Sequence, residues 1–169
     1  EDFWTIIYLH EGEQFKFAPQ AGWGDDFGGQ ATVNDVAGAN ITVDGTNLVA
    51  GKAGWYLLYI HNGSERTFTV LEPNVYLIGD TAGEWNVADS HKFTVPTTED
   101  GVFESPAFAN DAELRMCVSI DNFDWWKTEF IIFDGNIAYR GRGGDQDRVA
   151  VKAGQKAYLN FAKGTGEIK

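Results

Sequence analysis

The chain has 169 residues, of which 43% are hydrophobic and 14% aromatic, so it is globular rather than disordered. Its net charge of −12 argues against nucleic acid as a partner, because phosphate binding needs clustered lysine and arginine. A single cysteine, Cys117, excludes an internal disulfide, and no apolar run approaches the length of a membrane span. Cys117 lies in an apolar-rich run, which predicts buried packing.

Strand signals recur at short intervals along the whole chain, and no long run shows helical periodicity. The strands predicted in the first half are residues 4–9, 14–18, 40–44, 55–61 and 66–71. Those predicted in the second half are residues 75–78, 102–106, 113–120, 129–132, 148–151 and 156–161, with a short last strand near Glu167. In the run 156–161, Ala157, Leu159 and Phe161 share one face, as in a half-buried sheet. The pattern predicts an all-β fold of antiparallel β-sandwiches.

The two halves of the chain repeat each other. At an offset of 99 the apolar-basic-apolar triplet Phe15-Lys16-Phe17 falls on Leu114-Arg115-Met116. With one residue of slippage, VAGKAG at 49–54 falls on VAVKAG at 149–154. A repeat of this length predicts two related modules.

The boundary between the modules is predicted at Glu72-Pro73-Asn74, because proline cannot donate to a ladder and so ends a sheet. The modules are then residues 1–73 and 74–169. Nothing in the first copy corresponds to residues 74–99. We therefore expect the first copy to be truncated at its N-terminal end, with the chain beginning inside a module.

Four tryptophans lie in turn-like, polar sequence: Trp23, Trp85, Trp125 and Trp126. An exposed indole is unfavourable unless something covers it, and the apolar face of a sugar ring is a natural cover. The alternative is that each indole plugs the end of its sandwich. Adjacent residues on an extended chain point in opposite directions, so one of Trp125 and Trp126 is expected to anchor the core while the other faces out.

Two further tryptophans, Trp4 and Trp55, lie within predicted strands and are interpreted as core. The glycine-rich stretch 139–148 lacks the Lys-Ser/Thr of a phosphate-binding loop, and no helix pattern follows it. Two interpretations of that stretch remain. It is a hairpin whose charges pair with each other, or a loop from which Arg140 or Arg142 donates hydrogen bonds to ligand hydroxyls.

The residue patterns predict no metal, cofactor or catalytic site. Asp25-Asp26 and Asp134-Gly135-Asn136 do not extend into a calcium-loop pattern, and the three histidines share no ligand spacing. The chain has no nucleophile-elbow motif, and a small module of short strands has little depth for a catalytic cleft. We therefore expect no enzyme activity.

Residues 75–80 (VYLIGD), followed by Glu84-Trp85-Asn86, resemble the opening of the repeated domains in SusE/SusF-type proteins. These are glycan-binding surface lipoproteins of Bacteroidetes polysaccharide-uptake systems. The resemblance continues through Leu114-Arg115-Met116, the Trp125-Trp126 loop and residues 152–154. The first copy resembles the second half of such a domain.

The resemblance implies tandem immunoglobulin-like β-sandwiches displayed outside the outer membrane. It also implies α-glucan binding through an aromatic cradle supplemented by basic residues. The implied partners are a polysaccharide or oligosaccharide and an outer-membrane transporter complex, with the membrane reached only through a lipid anchor that this chain does not include. The candidate glycan-binding residues are Trp85, Trp125, Trp126, Lys127, Arg140 and, in the first copy, Trp23.

Three hypotheses follow for function. The leading one is non-catalytic binding of starch, α-glucan or a related polysaccharide at the cell surface in a polysaccharide-uptake system. The alternative is a structural spacer that holds another binding domain away from the membrane, and the first copy suits that role better. The third is an accessory fragment of a hydrolase.

Overall fold

The computed structural model describes all 169 residues as short strands joined by turns, with two single-turn 3-10 helices at Asp89–His91 and Trp125–Thr128. The all-β prediction is confirmed. The chain divides into two compact units, Glu1–Pro73 and Asn74–Lys169. None of its helical segments has the length and apolar character needed to cross a bilayer.

The first unit has seven strands, which are β1 (Asp2–Leu9), β2 (Gln14–Phe15), β3 (Thr32–Asp35), β4 (Thr42–Asp44), β5 (Asn47–Val49), β6 (Gly54–His61) and β7 (Thr67–Leu71). One sheet has the order β1-β6-β7-β3 and the other β2-β5-β4. All pairs are antiparallel except β3 with β7, which corrects the expectation of wholly antiparallel sheets. The parallel pair is possible because β4, β5 and β6 supply the long connection that it needs.

The core of the first unit comes from alternating residues of its long central strands. Phe68 and Val70 of β7 are buried with Leu58 and Ile60 of β6, and Phe27 packs edge-on against Phe68. Trp55 is buried as predicted, whereas Trp4 is only half-buried.

The second unit has nine strands, which are β8 (Val75–Leu77), β9 (Phe103–Glu104), β10 (Ala112–Glu113), β11 (Met116–Val118), β12 (Glu129–Phe133), β13 (Asn136–Tyr139), β14 (Ala150–Val151), β15 (Ala157–Asn160) and β16 (Thr165–Ile168). Seven of them form one antiparallel sheet in the order β8-β11-β12-β13-β16-β15-β9, and β10 pairs with β14. Leu77, Met116, Phe130 and Leu159 are fully buried in its core. Ala157 and Leu159 share the buried face that their alternation predicts.

The repeat is visible in the strand pairing. Trp4 pairs with Tyr59 in the first unit, and the residues at the matching repeat positions, Phe103 and Leu159, pair in the second. The second sheet then continues from β13 through β12 and β11 to β8. At the corresponding place the first unit has a single bridge, Phe17 to Phe27, which matches the pair Met116 to Phe130.

The sequence predicts too few strands, and most of the predicted strands are too long, although β1, β6 and β12 extend beyond their predicted bounds. The run 113–120 is broken at residues 114 and 115, because β10 belongs to the small sheet and β11 to the large one. Strands β3, β5 and β13 were not predicted. Each is short and partly exposed, so tertiary pairing rather than an apolar run defines it.

Candidate functional site

The candidate site lies on the outer face of the large sheet of the second unit. Successive residues of a strand point to opposite faces, so Arg115 and Cys117 face away from Met116 and the core. Cys117 pairs with Tyr76 on one side and with Glu129 on the other. One face of three neighbouring strands therefore carries an arginine, a cysteine, a tyrosine and a glutamate.

A tryptophan covers the apolar part of this face. Tyr76, Ile78 and Cys117 form a small buried cluster, and Trp125 packs against it. Burial, and then the charge of Glu129, raises the pKa of Cys117 to about 12, so the thiol remains protonated near neutral pH. The prediction that Cys117 is a packing residue is confirmed.

A second tryptophan lies beside the first. Trp85 packs over Gly79, where a Cβ would lie 3.0 Å from the indole and where φ is +78°, so both space and backbone geometry require glycine. The ring centroids of Trp85 and Trp125 are 5.5 Å apart and the ring planes are inclined by 49°. Trp85 is 54% exposed. The two indoles form an open, angled platform.

The guanidinium of Arg115 lies against both rings, with its Cζ 6.0 Å from the Trp85 centroid and 5.7 Å from the Trp125 centroid. Its Nη1 donates to both carboxylate oxygens of Glu129, at 3.0 and 2.9 Å, and to Asp145 Oδ1 at 2.8 Å. Its Nη2 donates to Asp145 Oδ2 at 3.2 Å. Burial alone would lower the pKa of Arg115, but the hydrogen bonds to Glu129 and Asp145 outweigh it and raise the pKa. The same bond to Arg115 holds the pKa of Asp145 below its ordinary value.

A cleft of about 210 Å³ opens beside this platform. Its lining combines the indole of Trp85 and the methyl group of Ala112 with four charged side chains that can donate or accept hydrogen bonds, namely Asp80, Glu113, Arg115 and Arg148. Arg148 is held by Glu113 at 3.0 Å and by Asp145 at 3.0 Å. An aromatic surface edged by carboxylates and guanidinium groups suits a sugar ring, which has apolar faces and a rim of hydroxyls.

Trp126 faces a different direction from Trp125. The two residues were expected to point in opposite directions along extended chain. They lie instead in a 3-10 turn, so their side chains point about a third of a turn apart. Trp126 is 38% exposed, with Lys127 Nζ 5.4 Å and Arg140 Cζ 5.2 Å from its ring centroid. Five of the six predicted site residues therefore fall into two groups in the second unit: Trp85 meets Trp125, and Lys127 and Arg140 meet Trp126.

The loop that carries Arg140 bears out only one part of its first interpretation, the pairing of its charges. It is not a hairpin, because it connects β13 of the large sheet to β14 of the small sheet. Its charges do pair, since Asp145 bridges Arg115 and Arg148. Arg140 is directed inward and donates to Glu129 at 3.3 Å.

The sixth predicted residue, Trp23, lies in the first unit and is 81% exposed. Lys16 Nζ is 4.6 Å from its ring centroid and 2.6 Å from Asp26 Oδ2. The hydrogen bond from Lys16, and then that from the Gly24 backbone, lowers the pKa of Asp26. Asp25 lies 3.8 Å from Arg66. This unit presents one indole with one lysine and has no second ring beside it.

The residue that sequence reasoning missed is Arg115. Its signal was present, because an arginine between two apolar residues of a buried strand must have a charged partner. Glu129, at the start of a predicted strand, carries the same signal. Asp145 and Arg148 could be assigned only from the structure, because the loop that brings them to Arg115 has no periodicity.

Comparison with known proteins shows a full-length match. The family model of SusF/SusE starch-specific carbohydrate-binding modules matches residues 1–70 and 74–167. Outer membrane protein SusF of Bacteroides thetaiotaomicron is 50% identical over 178 aligned residues, which cover 99% of this chain and 36% of that protein. The crystal structure of SusF from the same organism matches 99% of this chain with a TM-score of 0.94 and 49% identity. The chain thus spans well under half the length of the SusF proteins that it matches.

Proposed function

The chain belongs to the SusF/SusE family of starch-specific carbohydrate-binding modules, and from this premise we propose that its second unit binds an α-glucan on the platform of Trp85 and Trp125. Membership in a family of binding modules makes the chain a non-catalytic carbohydrate-binding protein.

The observation that carries the proposal is the angle between the two indoles. Rings inclined by 49° with centroids 5.5 Å apart present two differently directed faces rather than one flat surface. An α-1,4-linked glucan curves from one residue to the next, so successive sugar faces can each cover one ring. A β-1,4-linked glucan is a flat ribbon and would cover only one of the two indoles.

Arg115 supplies the hydrogen bonds that orient the sugar. Its guanidinium lies against both rings, and its Nη groups are already bound to Glu129 and Asp145. A held guanidinium loses little side-chain freedom on binding, so its remaining N–H groups can donate to ring hydroxyls at low entropic cost. The neighbouring Glu113 and Asp80 offer acceptors for the same hydroxyls.

Trp126, Lys127 and Arg140 form an adjoining surface over which a longer glucan chain can continue. Trp126 keeps part of its ring exposed, and Lys127 is also exposed. We expect this surface to contribute less than the platform, because one indole covers one sugar face and a lone surface lysine makes one exposed hydrogen bond.

The first unit has a second candidate function, that of a spacer. Its one exposed indole, Trp23, has a lysine beside it but no partner ring. A single ring can still stack on one sugar residue, so weak binding and spacing are compatible. A polysaccharide that reached both units would gain avidity without any new contact.

We further propose that the parent protein acts at the outer-membrane surface in polysaccharide uptake, with a transporter complex as a partner. The support is the similarity to a protein named outer membrane protein SusF. Surface immunofluorescence on intact cells tests the location, and co-purification with an outer-membrane transporter tests the partner. Labelling only after the cells are lysed would contradict the proposed location.

Affinity electrophoresis tests the binding proposal. The unaltered chain and Trp85→Ala are run through gels that contain starch, a β-1,4-glucan, a mannan or a pectin. Val102→Ala, which removes an exposed apolar side chain of the same unit, is the matched control. We expect starch to retard the unaltered chain and Val102→Ala, with Trp85→Ala retarded much less. Retardation by no member of the panel, or equal retardation of all three proteins, would contradict the proposal.

A further inference from the structure

We propose that Glu129 is a positioning residue for the platform of Trp85 and Trp125 and for the adjoining ring of Trp126. Its one buried carboxylate fixes the two arginines that lie against these three rings. The inference rests on the proposed function, because it assigns how that surface is held ready for a glycan. Glu129 touches no ligand itself, since only 1% of it is exposed.

The carboxylate of Glu129 is shared between two arginines that lie at the ends of different strands. It accepts from Arg115 Nη1 at 3.0 and 2.9 Å, and its Oε1 also accepts from Arg140 Nη1 at 3.3 Å. Arg115 precedes β11, and Arg140 follows β13, so β12 presents Glu129 between them. Removing this one group releases a hydrogen-bond partner from both guanidinium groups at once.

Each arginine lies against a different part of the aromatic surface. Arg115 Cζ is 6.0 and 5.7 Å from the rings of Trp85 and Trp125, and Arg140 Cζ is 5.2 Å from the ring of Trp126. The buried Nε of Arg140 has no hydrogen-bond partner. The orientation of Arg140 therefore depends on the contacts of its Nη1. This atom donates a hydrogen bond to Glu129 and forms a longer ion pair, of 3.8 Å, with Asp145.

Stability alone does not account for a glutamate at this position. A buried ion pair loses in desolvation much of what it gains in attraction, and apolar residues of similar volume often replace such pairs without loss. Here the rest of the outer face beside Trp125 is already apolar. A carboxylate in that setting has a different use, which is to set the direction of the cations above it.

The first unit repeats the arrangement. Phe17 to Phe27 is the bridge that matches Met116 to Phe130, so Lys16 corresponds to Arg115 and Asp26 to Glu129. Lys16 and Asp26 form an ion pair of 2.6 Å, and Lys16 lies 4.6 Å from the ring of Trp23. The same sequence of carboxylate, cation and indole thus occurs in both units, which points to a device for presenting aromatic rings.

The test uses the full chain with Glu129→Gln and Glu129→Asp. Glutamine keeps the shape but loses the charge, while aspartate keeps the charge but is too short to reach both arginines. Glu167→Gln, which removes an exposed carboxylate paired with Lys169 at 3.6 Å, is the matched control. Affinity for maltoheptaose is measured by calorimetry, and the Arg Nη–H signals are recorded by NMR on the ligand-free folded proteins.

We expect both Glu129 variants to lose about three- to tenfold in affinity, because the glycan must then order a long side chain that was previously fixed. The slowly rotating Nη–H signals of Arg115 and Arg140 should broaden or disappear in both variants and persist in Glu167→Gln. If Glu129→Gln does not fold, Glu129→Asp decides the outcome, since it retains a charged partner for at least one arginine.

Folded Glu129 variants with unchanged affinity for maltoheptaose would overturn the inference, and so would unchanged Nη–H signals. Either result can occur while the unaltered chain still binds maltoheptaose, in which case the proposed function stands. An unaltered chain that binds neither maltoheptaose nor any member of the glycan panel is a different result, because it removes the proposed function and the inference together.

Discussion

The two units place a cation and a carboxylate at matching positions of the repeat, with an indole beside the cation, yet they differ in how deeply the charged groups are buried. In the second unit the side chains of Arg115 and Glu129 are 9% and 1% exposed, whereas those of Lys16 and Asp26 in the first unit are 25% and 21% exposed. In the second unit, strands β8, β11 and β12 surround the ion pair. At the corresponding place the first unit has a single bridge, Phe17 to Phe27, so its ion pair is more exposed.

The extent of sheet around an ion pair decides the role of that pair. The ion pair of the second unit is enclosed by three strands, so it is fixed and can support a platform of two rings. The ion pair of the first unit lies at an open end of a sheet, is partly solvated, and supports a single ring. Changes at matching positions of the two units should therefore have different effects.

The largest difference is expected in stability. Arg115→Ala leaves Glu129 buried without its main partner, which should lower the free energy of unfolding of the second unit by about 3–5 kcal/mol. Lys16→Ala removes a partly solvated pair and should lower the free energy of unfolding of the first unit much less. Urea denaturation of both variants of the full chain measures the two effects, and equal losses would break the comparison.

The next difference is in glycan affinity. Trp85→Ala removes one indole face of about 100 Å², which at about 25 cal/mol per Å² is about 2.5 kcal/mol, or at least tenfold in affinity. Trp23→Ala should change maltoheptaose affinity much less and act mainly on retardation by polymeric starch. Both tryptophans are mostly exposed, so both variants should melt within a few degrees of the parent. A larger loss for Trp23→Ala would reverse the assignment of the stronger site.

A smaller effect is expected at Lys127. Its Nζ lies 5.4 Å from the Trp126 ring at the edge of the aromatic surface. Lys127→Ala removes one hydrogen bond to ligand, which is worth about 0.5–1.5 kcal/mol, so affinity should fall about two- to tenfold. Calorimetry beside Lys163→Ala, a change at another exposed lysine of the same unit, separates this loss from a general effect of charge.

The smallest effect is expected from pH. Arg115 lowers the pKa of Asp145 and Lys16 lowers that of Asp26, so each carboxylate stabilises its unit above the ordinary value of 3.8. That contribution is lost as the pH falls from there through the lowered pKa of each group. Melting curves from pH 7 to pH 3 should therefore show the deficit of Asp145→Asn and of Asp26→Asn shrinking below about pH 4. A deficit that grows as the pH falls would contradict the direction of both shifts.

The sequence by itself determined the strand-rich fold, the repeat and the polar setting of the loop tryptophans. Period-two alternation and the spacing of turn residues depend only on local geometry, so the buried face of residues 156–161 and the packing role of Cys117 could both be predicted from neighbouring residues alone. The polar setting of Trp85 and Trp126 likewise predicted exposed rings.

Only the tertiary structure decided which groups meet. The 49° between Trp85 and Trp125 depends on the packing of one ring over Gly79 and of the other on the cluster of β8 and β11. The direction of Arg115 depends on Glu129, 14 residues away, and on Asp145, 30 residues away. Hydrogen bonds between distant parts of a chain leave no periodic trace in the sequence, because only strand pairing and loop packing in the folded chain bring their partners together.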